Sequence, residues 1–252
     1  MAIITILTDY GTTDSYVGEM KGVLLSGAPG ATLVDITHSI PPGDIASASY
    51  VLSRAWSRYP AGTIHLAVVD PGVGTARVAI AFRTRDHFFV GPDKGLFSGV
   101  IRGAEVEAVV LPTPSLAAPT FHGRDLFGPA AASLARGEPL GALGERYAGT
   151  PRSVSGVVPH HEGKVVIGEV IYIDRYGNLI TNLSADLVPA YASLEVESLV
   201  IGPIRTTFGD VSSGAILAYL GSGGTVEIAV RDESAARRLG LGVGGKVKVR
   251  LG

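Results

Sequence analysis

Ile3-Ile4-Thr5-Ile6-Leu7-Thr8-Asp9-Tyr10-Gly11 is an apolar run that ends in an aspartate and a glycine-containing turn. Continuous apolar runs of this kind read as parallel strands buried between helices. Residues 63–69 repeat the plan and end in Asp70-Pro71-Gly72, and residues 31–36 form another strand between the two. Residues 15–26 have helical spacing, with Tyr16, Met20, Val23 and Leu24 as the apolar stripe and Asp14 as a candidate N-cap. Asp44 precedes a second helical run, 45–56, that stops before Pro60. Residues 78–83 and 87–90 read as two strands around an Arg85-Asp86 turn, and 126–135 as a small-residue helix stopped by Gly137. Alternation of strand and helix predicts an N-terminal α/β domain with a mainly parallel sheet, over residues 1–150.

The texture changes after that. Residues 151–163 contain Pro151, Gly156, Pro159 and Gly163 and are expected to be a linker. Between 164 and 252 come short alternating runs with Gly-rich turns, at 164–172, 178–182, 193–201, 215–220, 226–230 and 246–251. That pattern predicts a small antiparallel barrel or sandwich as a second domain.

Composition narrows the function. The chain has 252 residues, 46% hydrophobic and 17% charged, enough to bury a full core. A net charge of -2 with both signs interleaved offers no footprint for nucleic acid, so a small substrate is expected. The absence of cysteine excludes disulfides, thiolate catalysis and Cys-ligated zinc. No apolar run reaches the roughly 18 residues of a bilayer span, and the first residues read as a core strand rather than a leader. A cytoplasmic protein that does not engage membranes is expected.

In open α/β sheets, ligands sit at the carboxyl ends of the strands. Asp9 and Asp70 would both face that crevice. Either alone reads equally well as an Asx-turn, but Asp9 would also suit a ribose diol, since one carboxylate accepts two hydroxyls. Arg77 reads as a strand-edge surface charge. In Phe121-His122-Gly123-Arg124-Asp125, His122 alone reads as a structural histidine and Arg124-Asp125 as a helix-start ion pair. Asp174-Arg175-Tyr176-Gly177-Asn178 is either a hairpin turn or a loop offering a carboxylate, an aromatic face and an amide. Tyr219-Leu220-Gly221-Ser222-Gly223-Gly224 is a plain turn or a backbone cradle for a carboxylate. No histidine has a metal-ligand partner at i+3 or i+4 on a clear helix, and no metal is expected.

Six blocks, LTDYGTTDSYVGEMKG, DITHSIPPGDI, VVDPGVGTAR, TFHGRDLFGPAAA, YIDRYGNLITN and AYLGSGGTVEIA, occur in this order over residues 7–229. Together they resemble the S-adenosyl-L-methionine (SAM) hydroxide adenosyltransferases, or SAM hydrolases, relatives of the fluorinating and chlorinating nucleoside synthases. The resemblance implies an α/β domain followed by a small β-barrel. It implies a homotrimer with substrate between the first domain of one subunit and the second domain of the next. It also implies hydrolysis of SAM, as substrate and without a cofactor, to adenosine and L-methionine by attack of water or hydroxide at ribose C5′.

By the same resemblance the catalytic set falls on Asp70, Arg77 and His122, and the ribose contact on Asp9. Methionine contacts fall on Asp14, Asp174 and Ser222, and adenine-side positions on Tyr176 and Asn178. The halogenating relatives have Tyr in place of Asp70 and Ser in place of Gly123, differences that favour water over halide. Lys94, Gly223 and residues 231–233 depart from the family's pattern. Methionine leaves a sulfonium as a neutral thioether, so the chemical demand falls on the nucleophile. Water has a pKa of about 15.7, far above a carboxylate. Asp70 would orient the water or take its proton, with Arg77 stabilising charge. His122, ordinarily about 6.5, is the other candidate acceptor, and the sequence does not rank the two. The rival readings are a halogenase and a non-catalytic module that binds SAM or adenosine.

Overall fold

The computed structural model describes residues 1–154, 156, 158–189, 191–197 and 199–251. Residues 155 and 157 of the expected linker, and 190, 198 and 252 of the expected second domain, lie outside the described residues. The chain divides into two compact units, Met1–Val154 and Ser155–Gly252.

The first unit runs β1 (Ile3–Thr8), α1 (Tyr16–Gly27), β2 (Thr32–Thr37), α2 (Ile45–Ala55), β3 (Ile64–Val68), β4 (Ala79–Thr84), β5 (His87–Pro92), α3 (Ser98–Ile101), β6 (Glu107–Val110), α4 (Gly128–Ala135) and β7 (Glu145–Arg146). Its sheet has the order β2-β1-β3-β5-β4-β6-β7. The first four strands are parallel and the last three antiparallel. The apolar residues of β1 are buried on both faces, which is why its sequence does not alternate. Ile4 and Ile6 pack with Met20 and Leu24 of α1 and with α4, while Leu7 packs with Leu52 and Trp56. Each such side chain contributes about 1.5–3 kcal/mol by leaving water. Thr8 of β1 pairs with Val68 of β3, so Asp9 and Asp70 leave neighbouring strand ends. The chain passes from β1 to β2 on one side and to β3 on the other, and ligands favour the crevice at such a switch point.

Two local expectations need correction. Asp14 does not cap α1. Ser15 holds that position in helical conformation, and its hydroxyl donates to Glu19 at 2.7 Å instead of capping the backbone. Tyr16 is not part of the buried stripe. It stands in the first turn, 48% exposed, whereas Met20 and Leu24, one and two turns further in, are buried. By contrast Asp44 does cap α2, accepting from Ser47 N at 2.9 Å and Ser47 Oγ at 2.6 Å.

The second unit comprises β8 (His160–Glu162), β9 (Val165–Ile173), β10 (Leu179–Ser184), β11 (Ser193–Val196), β12 (Leu199–Ile201), β13 (Ile216–Leu220), β14 (Thr225–Val230), α5 (Ala235–Leu239) and β15 (Lys246–Arg250). Its order is β12-β11-β15-β9-β10-β14-β13 with β8 added on β9, every pairing antiparallel, forming a nearly closed barrel. The run 193–201 is two strands, not one: Val196 pairs with Leu199, and Glu197 turns the chain with a φ of 54°. His160 and His161, expected in the linker, are paired with Ile167 and Val166. Among the described residues no helix is long and apolar enough to cross a membrane.

Candidate active site

Three side chains from distant parts of the first unit meet behind the ends of β1 and β3. Arg77 Nε and Nη2 both donate to Asp70 Oδ2, at 2.9 and 2.6 Å, and Asp70 Oδ1 accepts from Gly72 N at 3.3 Å. The pair is deeply buried, its side chains only 3% and 5% exposed. Arg77 is therefore no strand-edge charge. Its guanidinium also lies 5.0 Å over the Phe127 ring, and Nη2 lies 2.8 Å from His122 Nδ1. Arg77 can only donate, so His122 Nδ1 presents its lone pair and neutral His122 carries its proton on Nε2. Burial, then the Arg77 charge, pushes the His122 pKa below its ordinary value, against the opposing pull of Asp70 and Asp125.

Asp70, with Arg77 behind it, lines a cavity of about 250 Å³ together with Asp9, Tyr10, Tyr16, Phe121 and Gly123. Asp9 Oδ2 accepts from Gly43 N at 2.8 Å. The rings of Tyr10, Tyr16 and Phe121 meet edge to face, with centroids 5.4–6.2 Å apart. The Tyr10 phenol is held above its ordinary pKa by burial, then by Asp9 and Asp70, with Arg77 opposing. At Gly123 a β-carbon would lie 2.3 Å from the Tyr10 hydroxyl oxygen. Glycine here makes room for a tyrosine.

His122 is buried and sits behind this lining, not on it. Asp14 is exposed ahead of α1 and also lies outside the lining. Arg124 and Asp125 form the helix-start ion pair, at 2.6 and 2.9 Å, with Glu19 adding a further carboxylate at 2.8 Å. The sequence reading missed Tyr10, Tyr16 and Phe121 as cavity residues. The available signal was their placement one and seven residues after Asp9 and beside His122.

In the second unit, Tyr176 and Asn178 line a separate cavity of about 460 Å³ with Phe208, Glu233, Ser234 and Arg237. Asp174 shapes the loop that carries them. Its Oδ1 accepts from Tyr176 N and Asn178 N, both at 2.9 Å, and its Oδ2 from Asn178 Nδ2 at 2.8 Å. Position 177 requires glycine twice over, because its φ is 84° and a β-carbon there would lie 2.0 Å from Ser234 Oγ. Ser222 is exposed in the turn after β13 and does not line this cavity. A broader groove of about 640 Å³ between α1 and α4 holds none of these groups, and Arg124 and Arg136 on it are held in ion pairs. Among the described residues, no three His, Asp or Glu side chains group as a metal would require.

An α/β sheet with paired carboxylates at its switch point, followed by an antiparallel barrel, defines a two-unit enzyme for a small polar substrate. The chain belongs to the SAM hydroxide adenosyltransferase family: residues 4–144 match its N-terminal domain and residues 168–248 its C-terminal domain. It is 42% identical to an (R)-S-adenosyl-L-methionine hydrolase of Thermus thermophilus, over 99% of this chain and all of the relative. A fluorinase of Nocardia brasiliensis is 27% identical over 99% of this chain and 97% of its own length. The crystal structure of an uncharacterized conserved protein from Thermotoga maritima superimposes with a TM-score of 0.91 at 35% identity, covering 98% of this chain and 99% of that one.

Proposed function

We propose that this chain hydrolyses S-adenosyl-L-methionine to adenosine and L-methionine. The observation that carries the reading is Asp70 on the wall of the cavity that holds Asp9, backed by the buried Arg77 and His122. Water attacks C5′, the C5′–S bond breaks, and its electron pair returns to sulfur, giving neutral methionine. The attacking oxygen becomes strongly acidic as its bond to carbon forms, so a carboxylate is a sufficient acceptor for its proton. Asp70 has that role in this reading. His122 Nδ1 is already engaged by Arg77 and its Nε2 bears hydrogen, so His122 orients Arg77 and donates rather than accepts. Arg77 balances the charge of Asp70 in a dry site, where such interactions are stronger than in water. Asp9 takes the ribose diol with the oxygen lone pairs left after the Gly43 bond.

The second unit contributes Tyr176 and Asn178 on the adenine side. Asp174 and Ser222, with Asp14 of the first, serve the methionine end. We further propose a homotrimer in which the first unit of one subunit and the second unit of the next complete each site, supported by the division of these residues between the two units. Light scattering showing an active monomer would sink that assembly.

The halogenase reading is disfavoured by Asp70 itself. Water can donate to this carboxylate, whereas a halide cannot and is repelled by it, a repulsion that Arg77 offsets in part. The deciding experiment incubates the protein with SAM in ¹⁸O-water, excess chloride and EDTA. Adenosine labelled at its 5′ oxygen is expected. 5′-Chloro-5′-deoxyadenosine as main product, unreacted SAM, or loss of turnover restored by a divalent ion would each overturn the reading.

A further inference from the structure

Outside the catalytic set, a second buried histidine stands against the other strand-end carboxylate. His38 follows β2, is 5% exposed, and places Nδ1 2.7 Å from Thr8 Oγ1 at the end of β1. Its Nε2 lies 3.1 Å from Asp35 Oδ1, and Asp35 Oδ2 accepts from Lys21 Nζ of α1 at 2.6 Å. The Asp35 carboxylate 3.1 Å from Nε2 is not aligned for a hydrogen bond but favours N–H there by its charge, and Nδ1 then accepts from the Thr8 hydroxyl. Thr8 Oγ1 is then left with its acceptor capacity, and Tyr10 N donates to it at 3.3 Å. His38 also holds the turn through its backbone: Gly11 N donates to His38 O at 2.8 Å, with Gly11 at φ 68°. The residue between these two anchored amides and Thr8 is Asp9.

The strand pairing explains how His38 reaches back. β1 and β2 run in register from Ile3–Thr32 to Ile6–Asp35, then slip so that Leu7 pairs with Thr37. The extra residue, Ile36, is a bulge, a feature that re-aims side chains near active sites. It brings His38 across the end of β1. The Asp35 carboxyl is subject to burial, which raises its pKa, but interactions with Lys21 and His38 outweigh this and keep it ionised below the ordinary range.

We propose that His38, held by Asp35, is a positioning residue for Asp9, fixing the Thr8–Gly11 turn so that the Asp9 carboxylate is pre-set for the ribose diol. This rests on the reading of Asp9 as the ribose contact. His38 would touch no substrate. Its contribution is to binding that ground state and transition state share, so its loss raises KM and leaves kcat nearly unchanged.

The test is steady-state kinetics of the full chain with SAM, together with calorimetry of adenosine and 2′,3′-dideoxyadenosine, which lacks the diol. His38→Ala and Thr8→Val should each raise KM roughly tenfold, the scale of a lost buried hydrogen bond with loosened geometry, at a kcat within about threefold. The double variant should be no worse than the poorer single. His38→Asn, whose amide oxygen can sit where Nδ1 does, should recover most of the loss. The parent should prefer adenosine to the dideoxy compound, and His38→Ala should largely lose that preference. A merely structural histidine would lower the melting temperature without changing this preference. Thr8→Val, nearly isosteric, decides the matter if His38→Ala does not fold. Unchanged KM and preference in the folded variants, beside an Asp9→Asn control that loses both, overturns this proposal alone. An Asp9→Asn enzyme with parental KM overturns the ribose assignment and this proposal with it.

Discussion

Replacing Gly123 by alanine places a methyl group 2.3 Å from the Tyr10 hydroxyl oxygen and 3.2 Å from its Cζ. Heavy atoms rest at roughly 3.5 Å or more, so the tyrosine must retreat by roughly 1 Å. The backbone at 123 is no obstacle, being outside the left-handed region. The ring is not free to turn aside, because Tyr16 and Phe121 hold its edges at centroid distances of 6.2 and 5.9 Å. Overpacking of this kind costs about 1–3 kcal/mol. In a chain of this size that is a loss of about 2–4 °C in melting temperature for each kcal/mol. Turnover should suffer more, since a displacement of about 1 Å at a site can cost 10²-fold. The companion variant removes the cause. In a Tyr10→Phe background the 2.3 Å contact disappears and 3.2 Å becomes the closest approach, so Gly123→Ala should be tolerated much better there. Product chromatography and thermal melts on the four members of the cycle measure the coupling, which should exceed about 1 kcal/mol. Parental melting and kcat/KM in Gly123→Ala, or an equal loss in both backgrounds, would refute the reasoning. The same overlap means that Gly123→Ser puts its hydroxyl into space that Tyr10 already fills, so serine alone should not convert this site to halide chemistry.

Three further outcomes are expected. Asp70→Asn should lower kcat by about 10²–10³-fold with KM near parental, and Arg77→Ala should also destabilise the fold by about 3–5 kcal/mol, because it leaves Asp70 buried without its partner; kinetics beside thermal melts separate the two, and an Asp70→Asn enzyme at parental kcat removes that residue from the mechanism. Burial, then the neighbouring His87, pushes His65 down to about 3, and burial also lowers His87, against Asp86. The unfolded chain therefore binds more protons than the folded one below about pH 6.5, so stability should be lost as pH falls from there toward 3. Melting curves against pH should show this slope in the parent and a shallower one in His65→Gln; equal slopes would rule these histidines out as its source.

Much of the fold was legible because burial writes itself into residue order. β1 and β3 are apolar on both faces and stop at aspartates, and that alone marks parallel strands with a crevice beyond their ends. Asp44 announced α2 for the same reason: a cap bonds within three residues of itself, so sequence contains both partners. The family's ordered blocks named the catalytic and substrate-facing candidates, but as single positions. Sequence could not say that Arg77 is buried against Asp70 or that it takes the Nδ1 of a histidine 45 residues away, since each of those residues has an ordinary surface reading. Nor could it tell that Tyr16 faces a cavity while Met20, one turn on, faces the core, because helical spacing assigns a stripe and not what lies opposite it. His38, too, appears in sequence as one scattered histidine among six. A slip of one residue in the β1–β2 register sets it over Thr8, and register is decided by how two strands pack, not by either strand's residues taken alone.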